Sequence, residues 1–238
     1  MTAGRALEQG MAPQIIAHRG ASRAEHENTL AAFEQARRLG ADAVELDVRL
    51  SADAVLVVHH DPRIGADGTP VTHLPRRLLP DYVPTLDAAL DACSGMWVNV
   101  EIKNDPSEPD FDATDHIAER VVQALARRGE NERWLISSFR LETVNRCRLV
   151  EPTIATAWLT EGIPPDAIDL AHRFGHRAVH PYYEFVTQDF VDRCHARGIE
   201  VNVWTCDDPV AILRLAGWGI DGICTNVPDL ALETLGRR

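Results

Sequence analysis

The rhythm of this chain constrains its fold more than any other feature: short β-rich runs alternate with amphipathic helical stretches along the whole length. Parallel neighbouring strands need a connection long enough to hold a helix, so this alternation is the pattern of a parallel sheet with crossover helices. The expected strands are Gln14 to Ala17, Asp42 to Val48, Met96 to Ile102, Arg133 to Ser137, Ile154 to Leu159, Ala178 to His180, Glu200 to Trp204 and Asp221 to Cys224. Eight such units in 238 residues come close to the (β/α)8 template of ~250 residues. The expected fold class is therefore α/β, a closed (β/α)8 barrel.

The first helix is the clearest. Leu30, Phe33, Ala36 and Arg37 with Leu39 recur at helical spacing, and Gly40 follows as a stop. Similar stretches lie near Asp115 to Arg128, Leu141 to Leu149, Gln188 to Arg197 and Pro209 to Ala216, with Gly129, Gly198 and Gly219 where helices should end. After the second strand the pattern changes: Ala54 to Val58 reads as an additional short strand, and residues 62–84, rich in proline and glycine, as a small insertion on the rim. Residues 13–238 read as one domain and residues 1–12 as a flexible tail, with Met11 as an alternative start. The tail has no apolar core of a secretory signal, and no run approaches the eighteen apolar residues of a membrane span. A cytoplasmic protein without stable membrane anchoring is expected; the sequence leaves its oligomeric state open.

Composition narrows the partners. A formal charge of -12 argues against nucleic acid and anionic membranes, both of which favour basic patches. The five cysteines, Cys93, Cys147, Cys194, Cys206 and Cys224, are odd in number and contain no CxxC pair, so reduced, buried thiols are expected rather than a disulfide framework or zinc cluster.

In a closed parallel barrel, functional groups gather at the C-terminal ends of the strands. Here those ends carry His18 and Arg19, Glu45 and Asp47, Glu101 and Lys103, Ser138 and Phe139, Trp158, His180, Trp204 with Thr205, and Thr225 with Asn226. Glu45 and Asp47 are two apart on a strand, as are Glu101 and Lys103, so each pair projects from one face, the barrel interior. Three converging carboxylates are costly in a partly desolvated mouth without compensation, and their oxygens suit one hard divalent cation, Mg2+ or Ca2+. An internal ion pair of Glu101 with Lys103 is the plainer alternative for those two residues. His18 and His60 suit a general base and a general acid, and Arg19 and Lys103 suit a phosphate on which charge builds. His59 should point away from His60. His180, backed by Tyr182 and Tyr183, belongs with the pocket-lining residues, with packing as its alternative role. Together these residues suit phosphoryl chemistry.

The motifs that carry this chemistry are AHRG from Ala17, ENTLAAF from Glu27, GADAVELDV from Gly40, VVHHD from Val57, VPTL from Val83, NVEIK from Asn99, SSF from Ser137, VNVWT from Val201 and DGICTNVP from Asp221. In order and spacing, from about Ile15 to Leu230, the chain resembles the glycerophosphodiester phosphodiesterases of the phospholipase C-like TIM-barrel group. The resemblance implies that His18 and His60 are the acid/base pair and that Glu45, Asp47 and Glu101 ligate the metal. It further implies that Arg19 and Lys103 contact the phosphate, that Trp204 walls the glycerol moiety, and that Glu27 supports the site through hydrogen bonding.

The implied reaction is hydrolysis of a small-molecule glycerophosphodiester to sn-glycerol 3-phosphate and an alcohol, a step of lipid and glycerol metabolism. Two departures bear on the pocket: the family often has TVN after the tryptophan, where this chain has Thr205, Cys206 and Asp207, and an Asp where it has Asn226. Alternatives on the same barrel are a lysophospholipase D or sphingomyelinase D-like phosphodiesterase, or an inactive phosphate-ester-binding barrel. A two-carboxylate glycosidase gives no role to the histidines and cations.

Overall fold

The computed structural model describes residues 12–237, so all of the expected tail except Ala12 lies outside the described residues. In chain order the elements are β1 (Gln14–His18), α1 (Leu30–Leu39), β2 (Ala43–Leu50), β3 (Leu56–Val58), β4 (Arg63–Ile64), β5 (Thr69–Pro70), α2 (Leu86–Ala92), β6 (Trp97–Ile102), α3 (His116–Arg128), β7 (Trp134–Ser138), α4 (Leu141–Val150), β8 (Ala155–Thr160), α5 (Ala167–Phe174), β9 (Ala178–Pro181), α6 (Gln188–His195), β10 (Glu200–Val203), α7 (Pro209–Gly217), β11 (Gly222–Thr225) and α8 (Pro228–Thr234). Strands β1, β2, β6, β7, β8, β9, β10 and β11 pair in parallel in that order, and β11 pairs with β1 to close the barrel. The expected (β/α)8 barrel is present. Among the described residues no helix is long and apolar enough to cross a membrane.

Period-two alternation along each strand sorts its residues between the barrel interior and the helices outside. One apolar interior layer is formed by Ile16, Ala43, Trp97, Leu135, Ala157, Ala178 and Cys224, drawn from different strands. Two residues further along, the interior turns polar. His18 stands beside Glu45, Glu45 beside Asn99 and Asp47 beside Glu101 in the strand register. The apolar layer thus forms a floor, and the polar layer above it opens at the C-terminal mouth.

Outside, α1 shows how the helices are held. Thr29 caps it, its hydroxyl oxygen accepting from the Ala32 backbone N–H at 3.2 Å, and Gly40 ends it in the left-handed conformation. Its inner stripe of Ala32, Phe33 and Ala36 is buried against the barrel; burying Phe33 alone contributes about 1.5–3 kcal/mol. Helices α2, α5 and α8, of seven or eight residues, are additions to the helices placed by periodicity. They span barely two turns.

Strand β2 explains how the HHD segment reaches the mouth. Its lower half, Ala43 to Glu45, pairs with β1, while its upper half, Val48 to Leu50, overshoots the barrel and pairs antiparallel with β3. The chain therefore turns back on itself, and the His59 N–H continues the ladder to the Asp47 carbonyl at 3.0 Å. After it, residues 62–84 hold the β4–β5 hairpin and two short 3-10 turns. They pack through Ile64, Val71, Leu79 and Val83 against Val57 of β3.

Candidate active site

A cavity of ≈ 270 Å³ opens at the C-terminal ends of the barrel strands. Of the residues expected at a site, His18, Arg19, Glu45, His60, Glu101, Lys103, His180 and Trp204 line it. Asp47 lies against the same cluster with its side chain 1% exposed, and Glu27 stands behind Arg19. His59 and Trp158 do not line it, and no residue of the 62–84 insertion does.

Arg19 is brought to the mouth by a turn that few sequences permit. Arg19 and Gly20 take successive positive φ values of 56° and 83°, which the glycine adopts without the steric cost a side chain brings. An added Cβ on Gly20 would lie 2.7 Å from the Ala32 carbonyl carbon, so α1 packs directly on this turn. The Arg19 guanidinium then bonds Glu27 Oε1 at 2.8 Å and pairs with Asp47 Oδ2 at 3.3 Å, while its backbone N–H donates to Glu45 Oε2 at 3.0 Å. Glu27 thereby holds the Arg19 guanidinium.

Glu45, Asp47 and Glu101 each place one oxygen within 4.8 Å of the others, and all three are buried. Burial first, then the neighbouring carboxylates, pushes Glu45 well above its ordinary range. Burial also leaves Glu101 raised, although Lys103 opposes it. For Asp47 burial is outweighed by Lys103 and Arg19, which hold it well below the usual carboxylate range. Lys103 Nζ donates to Glu101 at 2.5 Å and lies 3.1 Å from Asp47, so the expected ion pair forms within the cluster rather than in place of it. Against the desolvation that would lower it, the pairing with Glu101 and Asp47 raises Lys103. Glu45 Oε1 and Asn99 Oδ1 are buried without a hydrogen-bond partner among the described residues. An unmatched buried carboxylate oxygen beside two others is a donor set that fits a divalent cation.

The two histidines have different partners. Asn226 Oδ1 lies 2.7 Å from His18 Nδ1. The orientation of that amide is fixed from behind: its Nδ2 donates to Asp207 Oδ2 at 2.8 Å, and the Ser22 hydroxyl donates to its Oδ1 at 3.0 Å. A carbonyl oxygen must accept, so His18 carries its proton on Nδ1 and turns Nε2 inward. Burial, and then the charge of Arg19, lowers the His18 pKa. His60 instead hydrogen-bonds a carboxylate, Asp61, at 2.7 Å, and that bond holds Asp61 below its usual range.

The remaining wall is aromatic. The Trp204 indole N–H donates to the His180 carbonyl at 2.8 Å and its ring meets Phe139 edge-on at 5.3 Å. His180 belongs to the polar layer: it is 3% exposed, its Nε2 accepts from Asn202 Nδ2 at 3.0 Å, and burial lowers its pKa to about 3. All five cysteines are buried and free. Cys224 lines the cavity, and desolvation raises its thiol well above the ordinary value, against a nucleophilic role.

Sequence reading passed over several residues of this site. Asn99 and Asn202 line the cavity, two positions before Glu101 and Trp204 and so on the same strand faces. Asn28, the middle residue of ENT, donates to Asp47 Oδ2 at 2.7 Å. Asp207 and Asn226 were noted as departures from a pattern, and the structure makes them hydrogen-bond partners. Arg49 does not line the cavity, yet it bonds the backbone of His60.

Comparisons with known proteins agree with this fold. Residues 18–230 match the model of the glycerophosphoryl diester phosphodiesterase family. The chain is 29% identical to a glycerophosphodiester phosphodiesterase of Caldanaerobacter subterraneus subsp. tengcongensis over 92% of this chain and 96% of that protein. It is 30% identical to a probable glycerophosphodiester phosphodiesterase 2 of Mycobacterium tuberculosis, over 87% of this chain and 84% of that one. Among solved structures, an Oleispira antarctica phosphodiesterase in complex with the product sn-glycerol-3-phosphate superposes with a TM-score of 0.83 at 25% identity, covering 94% of this chain and 97% of its own.

Proposed function

Because the chain belongs to the glycerophosphoryl diester phosphodiesterase family, we propose that it hydrolyses glycerophosphodiesters to sn-glycerol 3-phosphate and an alcohol, using one divalent cation held by Glu45, Asp47 and Glu101. One observation carries this reading: two histidines with unlike partners face the same cavity as a cluster of three buried carboxylates. A divalent cation at that cluster, Mg2+ or Ca2+, supplies charge neutralisation at a phosphate oxygen and acidifies a bound hydroxyl.

The protein's own groups divide the remaining work. Arg19 donates through Nη1 to Glu27 and faces Asp47 as an ion pair, which leaves Nη2 for a phosphate oxygen. Lys103 has three N–H donors, gives one to Glu101 and faces Asp47 as an ion pair. A remaining N–H is available to the same phosphate. His18, neutral and oriented by Asn226, accepts through Nε2 the proton of the attacking hydroxyl, whether of water or of the glycerol 2-position. His60, its Nδ1 hydrogen-bonded to Asp61, donates its Nε2 proton to the alcohol oxygen as the P–O bond breaks. Trp204 and Phe139 wall the glycerol, with His180 beneath.

The test is direct. His18→Ala and His60→Ala should each stay folded by circular dichroism yet lose roughly 10²- to 10⁴-fold in phosphodiesterase turnover, and chelation should abolish activity that Mg2+ or Ca2+ restores. Near-wild-type turnover by either variant, or full activity in excess EDTA, rejects the corresponding part of the reading.

A further inference from the structure

The strand that carries two of the three clustered carboxylates also carries a buried cation that the proposed chemistry does not use. Arg49 is fully buried, two residues beyond Asp47 and on the same face of β2. Its guanidinium has five N–H groups, and the structure gives each one an acceptor. Nε and Nη2 donate to the His60 carbonyl oxygen at 2.8 and 2.5 Å. Nη1 donates to Glu108 Oε2 at 2.8 Å and Asp110 Oδ2 at 2.6 Å, and Nη2 also donates to Glu108 Oε1 at 3.1 Å. A planar group with every donor engaged has one orientation.

His60 needs such a constraint. It lies past the end of β3 in an irregular segment, and among the described residues its side chain bonds only the neighbouring, exposed Asp61. Loop residues have the greatest freedom to move, and a catalytic group displaced by about 1 Å can lose 10²-fold in rate. Glu108 and Asp110 lie in the segment that follows Lys103, between β6 and α3. Arg49 therefore ties the two irregular segments that bear His60 and Lys103 to one rigid strand. Stability alone is a poor reason for this arrangement, because a buried ion cluster commonly contributes no more than well-packed apolar residues of similar volume.

We propose that Arg49, held by Glu108 and Asp110, is a positioning residue that aims His60 at the leaving-group oxygen through the His60 carbonyl, without touching substrate. The proposal rests on His60 being the proton donor. Loss of position should then matter only where a leaving group needs that proton. An alkoxide such as that of choline departs poorly unless it is protonated as the P–O bond breaks, whereas p-nitrophenolate departs as the anion.

The experiment compares glycerophosphocholine with the p-nitrophenyl ester of glycerol 3-phosphate, with divalent cation present, for the wild type, Arg49→Lys, Glu108→Gln and His60→Ala. Arg49→Lys should lower kcat on glycerophosphocholine roughly ten- to a hundredfold with KM nearly unchanged, and lower kcat on the nitrophenyl ester by less than about threefold. Glu108→Gln, which keeps the arginine and the side-chain shape, should show the same selectivity at smaller size, and it carries the test alone if Arg49→Lys does not fold. Equal losses on both substrates, or no loss on either, overturn the proposal. His60→Ala separates the two levels. If it loses both substrates equally, the assignment of His60 as proton donor fails; if it is selective while the Arg49 and Glu108 variants are not, only the positioning role fails.

Discussion

Asp207 and Asn226 are an acid and an amide where the resemblance brings an amide and an acid. Read singly, each is a departure; read together they are an exchange, because Asn226 donates through Nδ2 and through its backbone N–H to the two oxygens of Asp207. The carboxylate has moved one residue further from His18, and a neutral carbonyl faces the imidazole in its place. Asn226→Asp alone sets two carboxylates 2.8 Å apart, a distance at which like charges cannot both ionise without cost. That variant should lose activity, while Asp207→Asn with Asn226→Asp should recover much of it. A coupling of about 0.5–3 kcal/mol is expected between the two positions, read from kcat/KM of both single variants and the pair. Strict additivity would show that the two side chains do not act as a unit.

Elements place these residues, and the turn after β1 is the most sensitive of them. A methyl group on Gly20 meets both a left-handed backbone and the backbone of α1, with its Cβ 2.7 Å from the Ala32 carbonyl carbon. Gly20→Ala should cost about 2–4 kcal/mol in urea unfolding; a loss below about 1 kcal/mol would mean that α1 yields to the methyl group. The eight barrel strands were legible in the sequence because strands covered on both faces read as apolar runs, against which Glu45, Asp47 and Glu101 stand out. The alternation that exposed those acids also marks Asn99 and Asn202, which a search for ionisable residues passes over. The contacts of Arg49, Asn28 and Asp207 were illegible for a different reason. Their significance lies in a partner brought close by pairing or turning, as when β3 folds back along β2 and returns His60 to within reach of Arg49. No local pattern encodes such a meeting.

For the molecule as a whole, burial of neutral histidines is one contribution to how stability responds to acid. His176 is buried between Thr156 and Asn145, and burial, helped by Arg148, lowers its pKa to about 4. His180 is lowered to about 3. Unfolded, both would protonate near the ordinary imidazole value of 6.5; folded, both stay neutral well below it. The unfolded state therefore binds more protons as pH falls from about 6.5. Their stabilisation is complete above that pH and is lost below it, each contributing up to about 1.4 kcal/mol per pH unit until its folded pKa is reached. Urea midpoints should fall between pH 7 and pH 5, and His176→Gln should flatten part of that slope; an unchanged slope would remove His176 from the account. Barrel closure has a consequence in time. His18 is oriented by Asn226, 208 positions later in the chain, and at 5–20 residues per second translation needs about 10–40 s to cover that interval. During synthesis the carboxylates of β2 and β6 emerge well before the strand that steadies His18, so a nascent chain cannot assemble the site by halves, and catalytic competence arrives only when the last strand has been made.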